Sequence, residues 1–204
     1  AIFWRLLATA DIVLESFAPG TLAAWGYDFA TLQQRYPHLI LTSITPFGQS
    51  GPYRDLRATE LEVFALGGFL AGCGDPDRPP VRISAPQANL FASINAYTGT
   101  LMAYYHRLRS GQGQWVDVSM QEGATNLHHA QLLWNTYGLV PQRMGSRLMF
   151  SPGVYIPVSF ACQDGYVQAI PLLSWHTFIP WMVEYDLAGD LLSAQWQARL
   201  QTLA

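Results

Sequence analysis

Reactive side chains are thinly spread along the 204 residues, and few stand at spacings that support chemistry. Cys73 and Cys162 form no CxxC pair or other ligand spacing, so a structural zinc site is not expected. They read as buried free thiols of a reducing, cytoplasmic compartment. His128 and His129 are adjacent, and on a helix adjacent side chains point about 100° apart. They cannot easily share a metal face and read as packing or interface residues. Gly111-Gln-Gly-Gln114 looks like a glycine loop, but it follows a helical pattern and precedes a strand-like one. Phosphate cradles need the opposite order, with the glycines opening a helix, so this is a turn. The sequence contains no GxSxG elbow, no GxxxxGK[ST] loop, no HExxH and no GxGxxG.

Composition sets further bounds. Half the residues are apolar and 13% are aromatic, enough for a conventional core and too many for disorder. Only 12% are charged, against roughly 25% in an average soluble protein. So little charge implies that part of the surface is covered by another chain. All eleven basic residues are arginine, and the net charge of −3 argues against a nucleic-acid partner. The apolar runs fall short of the ~20 residues that span a bilayer, and no signal peptide is visible. The opening without a methionine suggests a fragment.

Elements able to hold a site follow from periodicity. Asp11–Ser16 and His38–Thr45 read as buried strands, with helices over Thr21–Gly26 and Asp28–Tyr36 between them. Asp28 is placed to cap the second helix, and Pro37 to stop it. Strand, helix, strand over about 35 residues is a βαβ unit, so the fold class is α/β with a parallel sheet. A loop over Phe47–Tyr53 leads to a helix at Glu60–Leu70, and an irregular excursion over Gly72–Pro86 follows. Gln87–Arg109 is the longest helical pattern; it ends in cations with Gly111 beyond. Trp115–Met120 alternates as a half-buried strand, and Glu122–Trp134 returns to helix. Residues 1–137 thus form one domain and 138–153, rich in Gly, Pro, Arg and Ser, a linker. Residues 154–204 belong to a smaller α+β domain, with strands at Val154–Ala161 and Tyr166–Ile170 joined by a hairpin at Gln163-Asp-Gly165. Helices at Ser174–Glu184 and Leu187–Leu203 complete it.

Three long segments resemble the class III CoA-transferase family, named for carnitine and bile-acid CoA-transferases. They are Ala10-Asp-Ile-Val-Leu-Glu-Ser-Phe-Ala-Pro-Gly20, the run from Tyr36 to Tyr53 containing Phe47-Gly-Gln-Ser-Gly-Pro, and Arg107-Leu-Arg-Ser-Gly-Gln-Gly-Gln-Trp-Val-Asp-Val-Ser-Met-Gln-Glu122. They occur in the family's order over residues 10–125, with a weaker match at Cys162-Gln-Asp-Gly-Tyr-Val167. The resemblance implies a Rossmann-like large domain and a smaller second domain, in a chain about twice this length. It also implies two interlocked subunits, as a homodimer or as a heterodimer with a paralogue. The implied reaction moves CoA between acyl-CoA thioesters and carboxylic acids. CoA is then a substrate, no cofactor is tightly bound, and a metal is not required. An active-site aspartate attacks the donor thioester, because a carboxylate is ionised at neutral pH and makes an activated acyl derivative.

Carried over residue by residue, the resemblance puts the reacting aspartate at Asn89, in Pro86-Gln-Ala-Asn-Leu90. Thr59 falls where family racemases have a histidine and transferases a tyrosine, and Glu60 follows where the family has an acid. Neither racemase base is therefore present. Ser16 and Phe17 occupy the CoA-contacting Asn-Phe pair, and Arg57 a basic position that reaches CoA phosphate in some members. Ala24 replaces another arginine, and Pro171–Thr177 stands in place of a glycine-rich loop. Plainer roles compete with these. Asn89 could cap the long helix, and Glu60 could be a first-turn acid facing its own helix dipole. Arg57 could be a surface residue or Glu60's partner, and Phe17 could be core.

Overall fold

The computed structural model describes residues 2–127, 136–138, 143–151, 154–170 and 175–196. His128 and His129, residues 171–174 and the ends of two expected helices lie outside these. Two compact units divide the chain, residues 1–145 and 146–204.

The first unit is built on a three-stranded parallel sheet in the order β1-β2-β3. β1 is Ile12–Glu15, β2 is Ile40–Thr45 and β3 is Trp115–Ser119. Ile12 pairs with Ile40, and Leu41 with Trp115. α1 (Ile2–Leu7) precedes the sheet and was not expected from the sequence. α2 (Thr21–Ala24) and α3 (Phe29–Arg35) connect β1 to β2. Asp28 caps α3 as read, accepting the Thr31 N–H at 2.9 Å. These bonds from Thr31 hold the Asp28 carboxyl below its ordinary pKa.

β2 is covered on both faces. Leu39 and Leu41 pack with Leu7 and Leu32 on the α3 side. Each such leucine contributes about 1.5–3 kcal/mol by leaving water. On the other face lies α5 (Gln87–Ser110), whose buried residues are Ala88, Ala92, Ala96, Thr100 and Ala103. Small side chains at spacings of three and four let the helix axis approach the sheet. Ala92 and Ala96 meet Val118 there, and the Thr42 and Thr100 hydroxyls bond at 2.7 Å in the buried layer. The opposite stripe of α5 (Leu90, Ile94, Tyr97, Leu101 and Leu108) is exposed.

Two glycines fix the turn from α5 into β3. Gly111 ends the helix in the left-handed region at φ 72°. Gly113 lies so close to β2 that a Cβ would stand 1.9 Å from the Leu39 carbonyl oxygen. The Gly111–Gln114 segment is thus a turn that brings β3 alongside β2.

α4 (Glu60–Leu66) is shorter than the expected Glu60–Leu70 helix: Gly67 and Gly68 end it, and Phe69–Gly72 forms a separate 3₁₀ turn. α6 (Met120–Asn126) starts two residues earlier than read, capped by Ser119, which accepts the Glu122 N–H at 3.3 Å.

The second unit holds two antiparallel pairs. β4 (Arg147–Ser151) pairs with β5 (Val154–Pro157), and so the stretch expected as a linker contains a strand. The single strand expected over Val154–Ala161 is two, because β6 (Ser159–Cys162) leaves β5 and pairs with β7 (Gly165–Gln168). α7 (Trp175–Glu184) follows, with Pro180 inside it. Both cysteines are free, but Cys162 is exposed and Cys73 only half-buried, contrary to the expectation of two buried thiols. Burial still pushes the Cys73 thiol above its ordinary pKa. Among the described residues no helix is long and apolar enough to cross a membrane.

Candidate functional site

The candidate residues of the first unit lie at the carboxyl ends of the parallel strands, where open α/β sheets take their ligands. Ser16 and Phe17 leave β1 there, the Pro46–Thr59 loop leaves β2 there, and α5 begins there. Its Ala92 and Ala96 lie against Val118 and Ile44, near the strand ends, whereas Arg107 bonds Asp11 and His38 at their starts.

The turn into α5 is strained. Ala85 has φ 65°, a left-handed conformation that alanine rarely adopts, and it precedes a proline. The Gln87 N–H donates back to the Ala85 carbonyl at 3.0 Å. Pro86 occupies the capping position and offers no side-chain acceptor. Four N–H groups at a helix start lack intrahelical partners, and one of them is satisfied from another helix. The Ala88 N–H donates to Glu60 Oε1 at 3.0 Å. The other carboxylate oxygen, Oε2, lies 3.2 Å from Arg82 Nε.

Each sequence-derived candidate has a definite place here. Asn89 is exposed in the first turn of α5, one residue beyond the Glu60 contact, and does not cap the helix. Its side chain has no hydrogen-bond partner among the described residues, while its carbonyl accepts from Ser93 Oγ at 2.8 Å. Glu60 does stand in the first turn of α4, but its carboxylate serves the start of α5 rather than its own helix. Its side chain is only 15% exposed. Its ionic partner is Arg82, not Arg57; Arg57 is exposed and free of hydrogen bonds and ion pairs among the described residues. Thr59 caps α4, its N–H donating to Glu62 Oε2 at 2.8 Å. Its hydroxyl also bonds that carboxylate, which holds the Glu62 carboxyl below its ordinary pKa. Ser16 is exposed. Phe17 is exposed rather than core; its ring meets Trp25 edge-on at 5.2 Å, and its N–H donates to Glu15 Oε2 at 2.7 Å.

Sequence reasoning missed Arg82, Ala85 and Arg54. Nothing in Pro80-Val-Arg82 or Ser84-Ala-Pro86 signals an ion pair or a left-handed residue. Arg54 lines a cleft of about 410 Å3 with Glu15, Ser43, Gln49 and Trp115. Its buried Nε lies 3.5 Å from the Asp55 carboxylate and makes no hydrogen bond among the described residues. Gln49 is held by its N–H on Asp117, at 2.9 Å to Oδ2. Among the described residues no three His, Cys, Asp or Glu side chains gather as a metal site.

A parallel sheet whose central strand is covered on both faces, with its polar loops at the strand carboxyl ends, defines an α/β unit of the Rossmann-like class. The model of CoA-transferase family III matches residues 1–202, and the chain belongs to that family. It is 40% identical over 149 residues to the succinyl-CoA–D-citramalate CoA-transferase of Chloroflexus aurantiacus, covering 72% of this chain and 37% of that one. It is also 40% identical over 208 residues to a protein called "Probable CoA-transferase" in Mycobacterium tuberculosis, covering 94% of this chain and 26% of the relative. The crystal structure of a CAIB/BAIF family protein from Brucella suis aligns with a TM-score of 0.76 at 25% identity, covering 98% of this chain and 53% of that one. The chain thus spans about half, or less, of the length of the relatives it matches.

Proposed function

We propose that this chain is the acyl-CoA-binding part of a CoA-transferase and that, alone, it binds the thioester without turning it over. The observation that carries this reading is the amide at position 89, exposed where α5 begins at the carboxyl end of the sheet. In CoA transfer an active-site carboxylate oxygen bonds to the acyl carbon, the carbon–sulfur bond breaks, and CoA leaves as the thiolate. The resulting mixed anhydride is reopened later. An asparagine amide is neutral and a poor nucleophile, so it does not enter this cycle. It still donates and accepts hydrogen bonds and can hold a thioester beside it.

Ser16, Phe17 and Arg57 supply the CoA contacts in this reading. Coenzyme A enters and leaves as part of the substrate, with no tightly bound cofactor. The second substrate is a carboxylic acid; the curated relatives are named for citramalate, oxalate and glutarate. A cytoplasmic setting fits the two free thiols.

A second reading makes the chain a partner for a paralogous, carboxylate-bearing unit. Relatives named as alpha and beta subunits of one succinyl-CoA–L-malate CoA-transferase favour it. So does the relative in Mycobacterium tuberculosis, about twice the length of the one in Chloroflexus aurantiacus: 208 matched residues are 26% of the first, whereas 149 are 37% of the second. Homo- and heterodimers differ in native mass spectra of the purified protein.

The deciding experiment incubates the full-length protein with succinyl-CoA and treats it with hydroxylamine before peptide mapping. Binding without an adduct is the expected result. Turnover with an adduct on Glu60, or on any residue of this chain, overturns the reading.

A further inference from the structure

Glu60 is the carboxylate nearest in sequence logic to the missing nucleophile, and its surroundings give it a different task. Both of its oxygens are engaged, Oε1 with the Ala88 N–H and Oε2 with Arg82. Attack on a thioester would require both contacts to break. The contacts converge on the irregular Cys73–Pro86 stretch and on the one turn in the first unit where a described non-glycine residue is left-handed, at Ala85. Such a conformation persists only where surrounding bonds over-determine it. Pro86 brings no capping side chain, so without Glu60 the Ala88 N–H has no acceptor of its own.

We propose that Glu60 and Arg82 form a latch that positions the first turn of α5, and with it residue 89, so that Glu60 is a positioning residue and not the reacting carboxylate. The latch acts on the site described above; its effect on ligand affinity rests on that functional reading, whereas its effect on the helix start does not. Among the described residues, the other charged groups on the segments around this turn are Glu62, turned onto Thr59, Glu122, the one acid of α6, and Asp75, Asp77 and Arg78 of the irregular Cys73–Pro86 stretch. Of these groups Glu60 is the one bonded to the turn, at the residue before 89, and Arg82 is its ionic partner.

The test uses the full-length protein and Glu60→Gln, Glu60→Ala and Arg82→Gln. The glutamine keeps an oxygen for Ala88 but loses the ionic pairing, alanine loses both, and Arg82→Gln loses the pairing alone. Backbone amide exchange is read at residues 87–91, and succinyl-CoA affinity by calorimetry. In Glu60→Ala, exchange at Ala88 accelerates and affinity falls about tenfold, the scale of one lost charge-assisted bond. Glu60→Gln recovers most of both.

A purely structural brace would not move a further quantity, the titration of a carboxyl placed at position 89. In Asn89→Asp, read by carboxyl carbon NMR, the midpoint rises when Arg82→Gln is added and falls when Glu60→Gln is added. Movement in the same direction, or none in either, overturns the proposal. So does unaltered exchange at Ala88 in a folded Glu60→Ala protein; if that variant does not fold, Glu60→Gln and Arg82→Gln carry the test. Wild-type protein that fails to bind succinyl-CoA, with exchange and titration responding as stated, removes the functional reading and leaves the latch standing.

Discussion

The Glu60 carboxylate accepts the Ala88 N–H at 3.0 Å, tying the first turn of α4 to the first turn of α5 across 28 residues of sequence. That bond places residue 89 beside a fixed acid and in front of an open surface. It turns a functional question about position 89 into one about what that side chain can do there.

Asn89→Asp supplies the carboxylate that the transfer chemistry requires. The expected outcome is turnover of succinyl-CoA by the variant and none by the wild type, with a hydroxylamine-sensitive adduct mapped to residue 89. The measurement is thiol release followed by mass spectrometry of the trapped peptide. A variant that folds, binds the thioester and forms no adduct counts against residue 89 as the reacting position.

Arg57 makes no hydrogen bond or ion pair with the described residues, so removing it should leave stability unchanged. If it reaches a CoA phosphate, Arg57→Ala weakens CoA binding by about 1.5–3 kcal/mol, the range for a charged hydrogen bond. Calorimetry and urea unfolding together separate the two effects. Unchanged affinity removes Arg57 from the site.

The buried hydroxyl pair predicts an asymmetry. Thr100 Oγ1 donates to the Ala96 carbonyl at 2.6 Å, which leaves Thr42 Oγ1 to donate to Thr100. Thr100→Val therefore strands the Thr42 hydroxyl and costs about 1–3 kcal/mol. Thr42→Val leaves Thr100 satisfied and costs less. The double variant should be close to neutral, and a double-mutant cycle by urea unfolding reads the coupling.

Glu62 and Asp28 give the acid side of the stability profile. Both carboxyls are held below their ordinary values, Glu62 first by the Thr59 hydroxyl and Asp28 first by the Thr31 N–H. A group whose folded pKa is depressed contributes stability above its unfolded pKa and loses it as pH falls through the folded value. For these two the loss begins below the unfolded reference values of 4.5 and 3.8. Glu62→Gln should thus be less stable than wild type at pH 7 and equal to it in strong acid. Chemical unfolding across pH 2–7 checks this; a difference that persists unchanged at pH 2 excludes ionisation as its source.

Much of the framework was legible because local rules governed it. Asp28 before Phe29, Pro37 after Tyr36 and two β-rich runs mark a βαβ unit, and the parallel pairing of β1 with β2 agrees. The long helix was legible as an element, but not as a packing surface. Its large apolar residues draw the eye, yet its buried face is Ala88, Ala92, Ala96 and Ala103, because close approach to the sheet excludes bulk. The family and the position of residue 89 came from segment resemblance. The partner of Glu60 did not, since the Glu60–Arg82 contact is made by an irregular loop whose path no periodicity encodes. β4 was missed for a related reason: its Arg, Met and Ser sit in a stretch whose glycines and prolines read as linker.

Gly113 carries the strongest stability prediction. A methyl group there would stand 1.9 Å from the Leu39 carbonyl oxygen and 2.4 Å from its carbon, both backbone atoms that cannot rotate away. The Gly113 N–H also donates to the Pro37 carbonyl at 2.7 Å, so the turn cannot retreat without losing that bond. Relief requires β3 to move off β2, which would break the register pairing Leu41 with Trp115. Overpacking a tight site costs about 1–3 kcal/mol where side chains can yield. Here only backbone can yield, so Gly113→Ala should lose at least about 3 kcal/mol, a large part of a domain's usual stability of roughly 5–15 kcal/mol. Gly111→Ala is the comparison, since nothing stands within 4 Å of its Cβ position and only the left-handed φ is unfavourable. That variant should lose about 1 kcal/mol, the usual penalty for a non-glycine residue in this region. Urea unfolding of the two variants measures the difference; equal losses would show that β3 does not rest on the Leu39 backbone.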